Sequence, residues 1–221
     1  MNPAVIGIGL MLMSFSSGCV DILSYRFLGQ VFTSAMTGNV ALMGLDLGQG
    51  NMTAASRNLT AFVCFLTGLT LGVLLLRESG DRPALLRAVV AEIVLLAAFS
   101  WVWRHNGGGS LLYPLIGISA LAMGIQSAVA QRMAVPGIST TYFTGTLTSI
   151  VFGVVGRSPA PPVHPLRRVR WPFLAFVTYV VGAVLGGWIT TGPAPEVLLL
   201  PMLPTAAIAG LLVILWRERG S

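Results

Sequence analysis

The chain has 221 residues, 55% of them hydrophobic and only 9% charged, with a mean hydropathy of +0.83. Soluble domains carry about 25% charged residues, so this composition excludes a soluble domain and marks an integral membrane protein. The formal charge of +6 is carried entirely by arginine, and the arginines lie mostly between apolar stretches, which fits membrane topology and not a nucleic-acid surface.

A spanning helix needs about 20 mostly apolar residues. Pro3–Ser24 is the first such stretch, and Asp21 lies near its end, five residues before Arg26. The "SSGC" of Ser16–Cys19 faintly resembles a lipoprotein cleavage site, but it lacks a basic leader, so a first transmembrane helix is expected. Val31–Leu47 follows, too short and polar to be a confident span. It holds "SAMTGNV", Ser34–Val40. Leu59–Leu76 is the second span and Leu85–Trp103 the third, with Glu92 near its centre and no charged residue within four positions. A carboxylate at that depth is paired, solvated or protonated, so Glu92 is a proton or cation site or a neutral helix contact. Leu111–Ala130 is the fourth span. Ser139–Val155 is a second short polar segment, with "YFTGTLT" at Tyr142–Thr148. Arg157–Trp171 reads as a Pro-rich basic linker, and Pro172–Ile189 and Val197–Trp216 complete six spans. The five tryptophans lie near predicted span ends, as interfacial anchors do.

If each Thr-Gly segment enters and leaves on one side, ten arginines fall on one side and Arg26, Arg57 and Arg104 on the other. That bias places both termini in the cytoplasm. If both segments cross, the split is eight against five, which fits the rule less well.

The chain also repeats itself. "AFVCFLTGLTLG" (Ala61–Gly72) matches "AFVTYVVGAVLG" (Ala175–Gly186) at six of twelve positions, at an offset of 114. The Thr-Gly pairs align at 107, and Val102–Arg104 aligns with Leu215–Arg217 at 113. "GIQSAVAQR", from Gly124, takes the place of "GCVDILSYR", from Gly18. The expected architecture is all-α: a polytopic helix bundle of about six spans, built as two inverted three-helix repeats, residues 1–106 and 107–221. Each repeat would carry one short broken or re-entrant Thr-Gly segment. Gly68-x-x-x-Gly72 and Gly182-x-x-x-Gly186 permit close helix approach, inside the bundle or at a homodimer interface.

Threonine suits a helix N-cap and glycine a sharp turn into a helix. Thr37 and Thr144 would therefore start short helices within the membrane, whose free N–H groups favour an anion or polar oxygen. Gly38, Asn39, Gly145 and Thr146 belong to the same candidate solute site. Gln126 either binds solute or bridges helices. Asp21 would pair with Arg26 or Arg132, or cap the neighbouring broken segment, and with Glu92 these residues are the candidates for coupling or gating. His105 and His164 form no ligand cluster, the two cysteines no metal spacing, and no nucleophile–base or phosphate-loop motif is present. No metal, cofactor or enzymatic activity is expected.

"SGCVDILSYRFLGQVFTSAMTGNVALMG" together with "AMGIQSAVAQRMAVPGISTTYFTGTL" resembles the YoaK-like DUF1275 family of bacterial inner-membrane proteins, through nearly the whole chain. By that resemblance Asp21, Thr37, Gly38, Asn39, Gln126, Thr141, Thr144 and Gly145 occupy the family's recurring positions. The family usually has Asn where this chain has Ser127, and its usual basic leader is missing, which implies a start further upstream. The resemblance implies a multi-pass protein of the bacterial inner membrane and brings no substrate. Two functions remain. One is a secondary transporter or facilitator of a small polar solute, anionic if the helix N-termini point inward. The other is a non-transporting sensor or partner subunit.

Overall fold

In a computed structural model, residues 3–77, 81–106, 111–133, 147–148, 151, 165–191 and 205–208 are described. Six helices order this part of the chain: α1 Pro3–Phe27, α2 Met36–Gly48, α3 Met52–Arg77, α4 Asp81–Asn106, α5 Leu112–Met133 and α6 Pro165–Ile189. Five of them, all but α2, are long and apolar enough to cross a bilayer. The expected sixth span, Val197–Trp216, lies outside the described residues except for residues 205–208, which are helical.

Helix ends depart from the apolar windows where capping chemistry takes over. α3 begins seven residues before its expected start, because Asn51 Oδ1 accepts the N–H of Ala54 at 3.2 Å and caps the helix. α6 begins inside the stretch expected to be a linker, so "PLRRVRW" is helical. Proline is tolerated in a first turn, where its missing N–H has no intrahelical role, and arginine is a good helix former. Pro172 lies within α6 and is buried. At the end of α1 the chain turns through Gly29 and Gln30, both left-handed at φ of +76° and +64°. A side chain on Gly29 would also run into the guanidinium of Arg57.

Small residues bring two helix pairs together. A Cβ on Gly68 would strike the carbonyl oxygen of Leu121, and one on Gly124 that of Phe65, so α3 and α5 cross backbone to backbone. In the same way Gly182 meets Phe15 and Gly18 meets Tyr179, where α1 crosses α6. The Gly-x-x-x-Gly pairs thus pack within the bundle: Gly72 faces Ile125 and Ala128, and Gly186 faces Cys19 and Ile22. Outward faces of α3 and α6 stay exposed and apolar, with Val63, Leu66, Leu74, Val180 and Val184 among them, as lipid contact requires.

One end of the bundle gathers the end of α1 and the starts of α3 and α5. Arg57 Nη1 donates to Gly29 O at 3.2 Å, and Ser56 and Tyr113 share a hydrogen bond of 2.6 Å. The end of α4 joins them through the rings of Phe27 and Trp103, 5.4 Å apart. A cluster of Leu28, Val31, Phe65, Phe99, Leu115 and Met123 fills the core near that end. The opposite half is filled by Leu10, Met13, Val89, Ile125, Val129 and Ile208.

Candidate functional site

Between these two apolar clusters runs a buried polar stripe. Ser14, Ser17, Asp21 and Ser24 recur at three, four and three residues along α1, which puts them on one helix face. All four are at most 1% exposed. Over that length α1 rises about 15 Å, half the thickness of a hydrocarbon core.

Asp21 holds the first polar segment in place. Its Oδ1 accepts the N–H of Thr33 at 3.1 Å and of Ser34 at 2.8 Å. Its Oδ2 accepts the Ser34 hydroxyl at 2.6 Å and the Tyr179 hydroxyl of α6 at 3.0 Å. The carboxylate therefore satisfies backbone donors that precede α2, as the cap alternative required. These partners are all neutral donors, while Arg26 and Arg132 lie on the exposed surface. Beside it, Ser24 and Thr33 hydroxyls are 3.0 Å apart, and Ser119 of α5 donates to Thr33 Oγ1 at 3.2 Å.

Asn39 is buried and used up locally. Its Oδ1 accepts the Phe32 N–H at 2.9 Å and its Nδ2 donates to Phe32 O, so one side chain pairs with both backbone groups of one residue. Thr37 does not cap α2. The N-cap is Ala35, with no side-chain hydrogen bond, and Thr37 is exposed within the first turn. Asp21, from another helix, takes the N–H groups of Thr33 and Ser34 ahead of the N-cap, while those of Met36 and Gly38 go to the carbonyls of Ser34 and Ala35. Gly38 packs against the Phe32 ring, at 3.1 Å from a notional Cβ. Thr141, Thr144, Gly145 and Thr146 lie outside the described residues.

A second network joins three helices and the segment at 205–208. Ser17 Oγ donates to Gln126 Oε1 at 2.7 Å, and Gln126 Nε2 donates to Glu92 Oε1 at 2.7 Å. Thr205 Oγ1 donates to the same oxygen at 3.1 Å. Glu92 and Gln126 are 0% and 1% exposed. Ser14 Oγ and Glu92 Oε2 are buried with no hydrogen-bond partner among the described residues. Sequence reading singled out Glu92 and Gln126 separately and missed Ser17, Ser119, Tyr179 and Thr205. The spacing of the hydroxyls in "SFSSGCVDILS" was the available signal for the α1 members; Tyr179 and Thr205 carry none that separates them from other membrane hydroxyls.

A family profile described as "Protein of unknown function (DUF1275)" matches residues 9–211. The chain belongs to the DUF1275 family. It is also similar to the UPF0700 transmembrane protein YoaK of Bacillus subtilis (strain 168), with 31% identity over 181 residues, covering 80% of each chain. No solved structure matches it. Both polar networks lie within the span matched by the family, and the fold reads as that of a membrane protein with apolar spanning helices.

Proposed function

We propose that this DUF1275 protein is a secondary transporter or facilitator of a small polar solute, with no enzymatic activity, in the bacterial inner membrane. The observation that carries the reading is the Ser17–Gln126–Glu92–Thr205 network, buried among α1, α4, α5 and residues 205–208. Ionisable groups inside a membrane are costly and mark pathways more often than supports.

The two glycine crossings support an inverted repeat. Gly182 stands in the place of Gly68 and Gly124 in the place of Gly18. Their contacts correspond as well: Tyr179 answers to Phe65, and Phe15 to Leu121. α1 ends where α5 begins, so these two equivalent helices run in opposite directions. Repeats of this kind place their solute where the halves meet. Segment 28–51 leaves from the end of α1 and returns to the start of α3 at the same end of the bundle, which supports a re-entrant reading. Both termini are then cytoplasmic by the arginine distribution.

The N–H groups of Thr33 and Ser34 just ahead of α2 are taken by the protein's own Asp21, and those of Met36 and Gly38 by backbone carbonyls. We therefore place the solute at the Gln126 network and favour a neutral polar molecule over an anion. The glycine pairs are occupied within the chain and supply no argument for a homodimer.

The test uses the purified full chain, screened by thermal shift against sugars, polyols, amino acids and carboxylates, with Ser17→Ala and Gln126→Leu beside the parent. Ligand at a hundred times its Kd stabilises the folded state by about 2.7 kcal/mol. At least one solute is expected to raise the parent's Tm, to lose its effect in Gln126→Leu and to keep it in Thr67→Ala. Counterflow of that solute into proteoliposomes should follow. A panel without a hit, or hits indifferent to Gln126, overturns the reading in favour of a sensor or partner subunit.

A further inference from the structure

Two carboxylates among the described residues are buried, and the bundle treats them differently. Asp21 has donors on both oxygens. Glu92 receives both of its hydrogen bonds on Oε1, and Oε2 has no partner although the residue is fully buried. Ser14 Oγ is in the same condition, one turn from the Ser17 that leads to Glu92 through Gln126. A carboxylate that served only to join helices would be satisfied on both oxygens, as Asp21 is, because an unpartnered oxygen in hydrocarbon costs several kcal/mol. An oxygen kept bare at such cost fits a site that exchanges a small cation.

The surroundings select the cation. Hard metal ions take six or more oxygen ligands, and the buried side-chain oxygens without partners among the described residues are those of Ser14 and Glu92, with Asn58 Oδ1 elsewhere on α3. A proton needs one lone pair. The described groups bonded to Glu92 are the Gln126 amide and the Thr205 hydroxyl, with the Ser17 hydroxyl on the far side of that amide, and Val89 and Ile208, three residues from Glu92 and Thr205, belong to a buried apolar cluster. Among the described residues, the other titratable side chains inside the bundle are Asp21, which accepts the Tyr179 hydroxyl, and Cys19, whose thiol donates to Gly182 O at 3.2 Å.

Position adds a second argument. On the offset of 113 that aligns Leu215–Arg217 with Val102–Arg104, Thr205 stands in the place of Glu92. The two touch, with Thr205 Oγ1 on Glu92 Oε1. A residue in contact with its own repeat equivalent lies on the axis relating the halves, where alternating access exposes a site to each side in turn.

We propose that Glu92 is a proton-exchange site. Oε2 takes a proton from water on one side of the membrane, forming one O–H bond, and releases it to water on the other; no electrons are transferred. Its role as the coupling site rests on the transport reading above, whereas proton binding does not.

Infrared spectroscopy of the full chain in lipid nanodiscs tests this, with the proton and deuteron as probes. The expected result is a carboxylic C=O band that is lost reversibly as pH rises and shifts in D2O. It should vanish in Glu92→Gln and persist in Asp21→Asn. Should Glu92→Gln not fold, Thr205→Val is expected to keep the band and move its midpoint. The proposal is overturned if no such band depends on residue 92 or 205, if the band is invariant across pH, or if sodium removes it at constant pH. A titrating Glu92 without any solute binding would leave the proton site and remove the transport reading. Solute flux with a silent Glu92 would do the reverse.

Discussion

Asp21 and Asn39 show how single side chains hold an irregular segment against a helix bundle. Each satisfies backbone groups that have no water to turn to, at residues 32, 33 and 34. Removing either leaves buried donors bare, at about 1–3 kcal/mol per group. Asp21→Ala and Asn39→Ala are therefore expected to lower the Tm in detergent by several degrees. Thr37→Ala, at an exposed position without a capping bond, should change stability by less than about 0.5 kcal/mol. A screen that used Asn39 to locate solute would report folding instead. "SAMTGNV" and Asp21 stood out in the sequence because polar residues in apolar runs are conspicuous, and the structure joins them by hydrogen bonds. The capping role expected of Thr37 is absent, because the N–H groups ahead of α2 are taken by a residue of another helix, which leaves no mark in the local pattern.

Among the elements, five spans were legible because an uninterrupted apolar stretch of spanning length has few other uses. Their ends were not, since Asn51 and the arginine-rich turn before Pro172 extend helices into polar sequence. Helix crossings were legible only as small-residue spacing; which helix each glycine meets required the structure. The two crossings are expected to respond alike. Gly68→Ala and Gly182→Ala each place a methyl against a backbone carbonyl, so the helices must part, and each should destabilise by about 1–3 kcal/mol. Gly44 on α2 has nothing within 4 Å of a notional Cβ. Gly44→Ala should stabilise by about 0.5–1 kcal/mol through helix propensity alone. Thermal unfolding of the three variants separates these outcomes.

For the whole molecule, the re-entrant reading makes a topological prediction. Arg26, Gln49 and Arg77 are all exposed. With single cysteines at these positions, a membrane-impermeant maleimide added to intact cells should label residues 26 and 49 and spare 77. Labelling of 26 and 49 from opposite sides would mean that segment 28–51 crosses. The stripe of Ser14, Ser17, Asp21 and Ser24 would then need a different lining.

The pairing of α1 with α6 and of α3 with α5 has a consequence for synthesis. N-terminal segments leave the ribosome first. When α1 to α4 have been inserted, Asp21 still lacks Tyr179, and Glu92 lacks both Gln126 and Thr205. Neither half has a finished interior of its own. The nascent protein must therefore wait in the bilayer with two carboxylates incompletely bonded until its last third arrives. During that interval, membrane chaperones and quality-control proteases have their best chance to act on it.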